Sequence, residues 1–327
     1  MANQEKFKTM IGGQALIEGI MMRGPEKDAV VVRTNDGLNI ETKRRKIHAK
    51  NSVLRWPLIR GVISFFDAQI TGVKALMRSA DFSMDDIEQE ESKVDQWLEK
   101  KLGQKKSQDV IVALAVVLGL AMSIGLFFVL PMFIGSLFDG FVHSILLLNL
   151  IEGAVRIVIF IGYIFLSSRL KDMRRVFSYH GAEHKTIRCY EAGLELTVEN
   201  VRAQSRRHPR CGTSFLLVVM ILSILLFSVA SSLLLTLVPA LAAMKGQILY
   251  RVIMIAYKLL LLPLVVALAY EINRWVGRHD NFFTAILTAP GLWFQNFTTN
   301  EPDDSMIEVG IEALKAVLPE QEGTDAW

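Results

Sequence analysis

Cysteine is nearly missing from this chain: 327 residues hold two, Cys189 and Cys211. So small a supply excludes a disulfide-stapled scaffold and leaves both thiols as free groups or metal ligands. The opening residues, MANQEKFKTM, contain no apolar stretch of the kind a cleavable signal needs. The first long hydrophobic run is therefore expected to act as an uncleaved signal-anchor. No glycine-rich segment ends in Gly-Lys-Ser or Gly-Lys-Thr, which excludes a Walker phosphate loop. Large excess charge is also absent. A formal net charge of +3 reports topology and attraction to anionic headgroups, and nucleic acid is not an expected partner.

Apolar residues, by contrast, are abundant. Hydrophobic side chains make up 51% of the sequence, and mean hydropathy is +0.34, high for a soluble protein. Four runs, Val110–Leu130, Ile145–Ser167, Ser214–Val238 and Ile248–Tyr270, approach or exceed the roughly 20 residues a helix needs to cross a bilayer. Ten Lys or Arg lie between Arg169 and Arg210, whereas the stretch Asp139–Ser144 has none and the turn between the last two runs has only Lys245. The positive-inside rule then predicts a multi-pass protein of the cell membrane with both termini in the cytoplasm. The expected fold class is a mainly α integral membrane protein: four transmembrane helices, a small N-terminal β unit and cytoplasmic amphipathic helices.

Four regions follow from this pattern. Residues 1–80 form an N-terminal cytoplasmic β/α region. Its strands are expected in the glycine-rich run Ile11–Gly19, in Ala29–Thr34 and in Leu38–Thr42, with Asn35-Asp36-Gly37 as a hairpin turn. Pro57–Ala80 reads as a helix along the membrane surface, with Ile59, Ile63, Phe66, Ile70, Val73 and Met77 on one stripe. Residues 81–109 are a charged connector in which Ile87, Val94, Trp97 and Leu98 outline a weak amphipathic helix. Residues 110–270 are the four-helix membrane domain, with a cytoplasmic His/Cys loop at 168–213. The tail, 271–327, begins with an aromatic segment, Asn281–Phe297, that Pro290-Gly291 is expected to break. It ends in a helix with Ser305 and Glu308 as a capping box and Ile307, Ile311, Leu314 and Leu318 as an apolar stripe.

Chemistry concentrates in that loop. Tyr179-His180-Gly181-Ala182-Glu183-His184 puts two imidazoles one helical turn apart, so both can reach one cation. The order His-x-x-Glu-His is that of the inverzincin signature, in which the glutamate handles a proton. Catalytic zinc takes three protein ligands, and His208 and Cys211 are the candidates for the third. Glu191 lies two turns beyond His184 on the same face. Glu18, in a second dense motif that also holds Gln14 and Arg23, is a candidate to approach the metal. That motif reads equally as a bulged strand, and the histidines as ordinary polar residues of a juxtamembrane helix. Met21, Met22 and the thiols would suit Cu(I) by softness, a lesser alternative to zinc. Inside the hydrophobic runs, Glu152 and Lys258 start seven and ten residues from the same membrane side. At 1.5 Å per residue their depths differ by about 4.5 Å, so Glu152 is expected to face Lys258 or its neighbour Arg156.

Together, Gly12–Ala15 with Glu18–Gly24, Tyr179–Lys185, Arg210–Phe215, and Pro290–Trp293 with Glu301-Pro302 resemble the YqhQ-like family of bacterial membrane proteins. That resemblance implies a metal-dependent enzyme and names no substrate. The expected function is a hydrolase at the cytoplasmic face, with a divalent metal, zinc by its donors, acting on a lipid-linked or membrane-protein substrate among membrane lipids. Glu183, with Glu18 as a second candidate, would be the catalytic acid or base. Two other classes fit the same residues: a transporter lined by Glu152, Arg156 and Lys258, and a regulatory scaffold without catalysis.

Overall fold

The computed structural model describes residues 7–45, 52–84, 104–138, 140–142, 144–279, 281–321 and 323–326. The connector's expected helix around Ile87, Val94, Trp97 and Leu98 lies outside the described residues. In chain order the strands are β1 (Gly12–Leu16), β2 (Gly19–Arg23), β3 (Lys27–Thr34) and β4 (Gly37–Arg44). The helices that follow are α1 (Ile59–Met84), α2 (Gln104–Ile124), α3 (Leu130–Ser136), α4 (Ile145–Ser167), α5 (Lys171–Glu191) and α6 (Val198–Arg202). After these come α7 (Gly212–Leu237), α8 (Pro239–Ala243), α9 (Ile248–Arg278), α10 (Phe282–Thr298) and α11 (Asp304–Lys315). Two compact units emerge. One gathers Met1–Asp85, Ile164–Leu222 and Leu262–Trp327; the other comprises Asp86–Tyr163 and Ser223–Leu261.

The first unit is built on an antiparallel meander in the order β1-β2-β3-β4. Thr34 pairs with Gly37 across the predicted Asn35-Asp36 turn. A strand additional to those expected, β2, follows β1 through a second two-residue hairpin, Ile17-Glu18. That hairpin lacks the usual turn residues, and Glu18 takes φ +50°. Arg175 grips the Glu18 carboxylate and the Tyr179 hydroxyl donates to it, which holds a conformation a side chain otherwise disfavours.

Strand alternation gives the sheet two apolar faces. Ile20, Met22, Ala29 and Val31 pack on Tyr179, Ala182 and Ile187 of α5 and on Met306, Val309, Ala313 and Leu314 of α11. Leu16, Met21 and Val30 cover the other face with Ala75 of α1. Each such side chain contributes about 1.5–3 kcal/mol of burial, so this sandwich fixes α5 firmly. On α1 the predicted stripe faces outward: Phe66 is 53% and Ile70 56% exposed, while Ala75 and Ser79 turn to the sheet.

Two helix boundaries depart from expectation. Asn281 caps α10, which continues through Pro290 to Thr298. Proline costs one backbone bond there, and the buried Gly291, Phe294, Gln295 and Thr298 beyond it keep the helix intact. The cap of α11 is Asp303, whose carboxylate accepts from the Met306 amide at 3.0 Å and from the Ser305 hydroxyl. Glu308 pairs with Arg33 instead of closing a box.

Four helices are long and apolar enough to cross a membrane: Val110–Ser136, Ile145–Ser167, Phe215–Leu237 and Ile248–Arg278. In the second unit Met132, Leu235, Leu241 and Met254 form a small core. The expected pair is present there, with Lys258 Nζ 2.5 Å from Glu152 Oε2. Arg156 finds another partner. A π turn at Gly125–Val129 disturbs the helical ladder, and the Phe127 carbonyl accepts from Arg156 Nε at 2.7 Å. The guanidinium also lies over the rings of Phe128 and Phe227.

Candidate metal centre

Helix α5 places His180 and His184 on one face with ring centroids 4.3 Å apart. Carbonyl oxygens orient both rings. His180 Nδ1 donates to Thr298 O and His184 Nδ1 to Arg206 O, each at 2.7 Å. A carbonyl can only accept, so the proton is fixed on Nδ1 and Nε2 is turned inward on each ring. This is the outer-sphere arrangement that metal-binding histidines need.

Cys211, just ahead of α7, completes the group. Its Sγ lies 3.2 Å from His180 Nε2 and is also within hydrogen-bond reach of Thr213 Oγ1 and N. One ligand atom from each of His180, His184 and Cys211 falls within 4.8 Å of the others. Ligand atoms around tetrahedral zinc stand about 3.3–3.8 Å apart, so the widest separation in the trio exceeds that spacing by no more than about 1–1.5 Å. Two buried atoms facing the cluster have no partner among the described residues: His184 Nε2 and Glu183 Oε2. Leaving such atoms unpaired costs about 1–3 kcal/mol each, a sign of a ligand site. The donor set and the orphaned nitrogen fit a divalent soft-to-borderline ion.

The electrostatics agree. Burial opposes a charged Cys211, but the imidazoles of His184 and His180 outweigh it and hold the thiol well below its ordinary value. Burial likewise opposes a charged His180, yet the Cys211 thiolate beside it dominates and raises His180 to about 9. Thiolate is the form that binds metals. Glu183 is pushed above the usual carboxylate range by burial, against the pull of both imidazoles.

Two glycines make the approach of these segments workable. The Gly13 amide donates to the Glu183 carboxyl group. A Cβ at Gly13 would lie 2.6 Å from Met21 O and 3.0 Å from Glu183 Cδ. One at Gly181 would lie 2.0 Å from Asn300 O, so only glycine lets the segment bearing Thr298 reach His180.

His208 and Glu191 form a neighbouring cluster, with the His208 ring centroid 5.7 Å from that of His184. Glu191 is fully buried; Oε1 accepts from the Thr9 amide, and Oε2 from His208 Nε2 at 3.0 Å and Arg210 Nη2 at 2.6 Å. Burial lowers His208, against the pull of Glu191. Gln295 clamps the His208 backbone through both its amide atoms. That clamp sets the loop from which Arg206 O reaches His184. Neither Gln295 nor the two orienting carbonyls was legible beforehand, since a backbone carbonyl leaves no trace in residue identity.

The other candidates stand elsewhere. Glu18 is held by Arg175 and Tyr179, and its carboxyl lies below the usual range because of the Arg175 bonds, against burial. Arg23 pairs with Asp28 and Asp67. Met21 and Met22 fill opposite faces of the sheet, and Cys189 packs with Val201, Ile307 and Ile311, its thiol pushed up to about 11 by burial. Gln14 lies against Gly72 of α1 and lines a cleft of about 650 Å³. His180, Glu183 and Cys211 line the same cleft, and Phe65, Phe177, Phe215, Leu216 and Tyr270 give it apolar walls.

Comparison with known proteins adds a family and no activity. A family profile described as "Protein of unknown function (DUF1385)" matches residues 56–320. "Uncharacterized protein YqhQ" of Bacillus subtilis (strain 168) is 33% identical over 326 residues, which is 97% of this chain and 94% of the relative. No solved structure matches.

Proposed function

The chain belongs to the DUF1385 family, and from that premise we propose that it is a metal-dependent hydrolase of the cell membrane. The observation that carries the reading is the convergence of His180, His184 and Cys211 beside an unpartnered Glu183 oxygen. These three side chains would hold the ion. Bound there, zinc would supply Lewis acidity and bring the ionisation of water close to neutral pH. Glu183 takes up and returns the proton, a role suited to a carboxyl raised by burial. Thr298 O and Arg206 O keep the rings in register.

The substrate class follows from the cleft and the topology. Walls of Phe65, Phe177, Phe215 and Leu216 favour an apolar chain beside the bond to be cleaved. Four apolar helices span the bilayer, and the Lys/Arg-rich loop lies in the cytoplasm with both termini. Placement of the N-terminal region, this loop and the tail in one unit supports that topology. The substrate is then lipid-linked or a membrane protein, approached from the inner leaflet.

A second reading uses the same atoms without a metal. His180 Nε2 at 3.2 Å from Cys211 Sγ is also the geometry of an activated thiolate nucleophile.

Metal content of the full-length protein separates the two. About one ion per chain is expected in wild type, with loss in His180→Ala, His184→Ala and Cys211→Ala. Glu183→Gln keeps the ion and its melting temperature but fails to restore the lipid or membrane-protein profile of cells lacking the wild type, with turnover down about 10²–10⁴-fold. Equal metal in wild type and the ligand variants overturns the metalloenzyme reading.

A further inference from the structure

The second unit holds a charged pocket that the proposed hydrolysis does not use. About 100 Å³ in volume, it is lined by Glu152, Lys245, Arg251, Lys258 and Ser231 together with apolar residues of the local core. One water needs roughly 10–15 Å³ of such space, so the pocket admits a polyatomic group.

Its charges do not balance. Glu152 and Lys258 neutralise each other at 2.5 Å. Arg251 then leaves the lining with a positive charge that no second carboxylate of the lining offsets. Among apolar helices that excess is expensive unless an anion offsets it. Ser231 is fully buried in this lining, and its hydroxyl oxygen has no partner among the described residues. A hydroxyl so placed costs about 1–3 kcal/mol without a ligand. Two helices also begin here: Ile145 and Leu148 of α4 and Tyr250 and Arg251 of α9 line the pocket, bringing the positive ends of both dipoles to it.

We propose that this pocket is an anion site for a phosphate-type group, supplied by the headgroup of an anionic lipid or by a free oxyanion. Arg251 provides the charge, and Ser231 donates a hydrogen bond. The apolar wall from Leu148 to Met254 would accommodate the adjoining part of a lipid.

Full-length protein in uncharged detergent, titrated with inorganic phosphate by calorimetry against chloride at equal ionic strength, tests the free-oxyanion source. Nanodiscs of phosphatidylcholine with and without phosphatidylglycerol, read by native mass spectrometry, test the headgroup source. Saturable binding in either arm is expected and identifies the source. Arg251→Gln and Ser231→Ala should each weaken that binding about tenfold while the melting temperature in phosphatidylcholine alone does not fall. Absence of preference in both arms overturns the proposal, as does binding that both variants leave intact.

Discussion

At the end of α5, Glu191 has both oxygens engaged, by Thr9, His208 and Arg210. Two turns earlier on the same helix, His184 and Glu183 each leave a buried atom without a partner. Both clusters sit in one folded unit at similar depth, so burial alone does not separate them. Completeness does. A closed network stabilises the native fold and has nothing to offer a ligand. An open one carries a standing cost that a bound ion would remove. Reading all the histidines and acids of the loop as one ligand pool conflates these two kinds of cluster.

The sharpest way to break that distinction is Glu191→Ala. It strands the Arg210 and His208 donors in the core and should destabilise the first unit by about 3–5 kcal/mol, read as a lower melting temperature in near-UV circular dichroism. A change as small as that of Glu183→Gln would show that the Glu191 network is not structural.

Gly181→Ala is the next largest. Its Cβ would press on Asn300 O, costing about 1–3 kcal/mol as the segment is pushed away. Because that segment carries the Thr298 carbonyl, metal affinity should fall about tenfold with it. Lost stability with unchanged affinity would uncouple the outer carbonyl from the centre.

The smallest effect is on pH. An unfolded chain protonates His208 near 6.5, whereas burial keeps the native imidazole neutral to lower pH. The unfolded state then binds the extra proton, so stability falls as pH drops below 6.5. Burial opposes the Glu191 charge, but the bonds from His208 and Arg210 outweigh it and lower the carboxyl below 4.5. Its contribution is present above 4.5 and is lost as pH falls through the native value. The change in melting temperature from pH 7 to pH 5 should therefore be more destabilising in wild type than in His208→Gln; identical slopes would remove His208 from the account.

What could be read in advance had local causes. The spacing of His180 and His184, the Asn35-Asp36-Gly37 turn and the matched depths of Glu152 and Lys258 are each set by the geometry of one element or by counting along two. The misreadings share a different cause. Glu18 turns the chain only because Arg175 and Tyr179 hold it. Helix α10 passes Pro290 because packing beyond it repays the lost bond.

Residue order alone thus settled the four long apolar helices, the N-terminal strands and the paired imidazoles with their glutamate, because helical and strand periodicities act over a few neighbouring positions. Only the assembled chain decided that Cys211 joins those imidazoles while His208 turns to Glu191. That choice depends on Gln295 pinning a loop almost ninety residues upstream, and on Gly13 and Gly181 letting distant backbones come close. Contacts of that reach are selected by packing, and no pattern in the neighbouring residues encodes them.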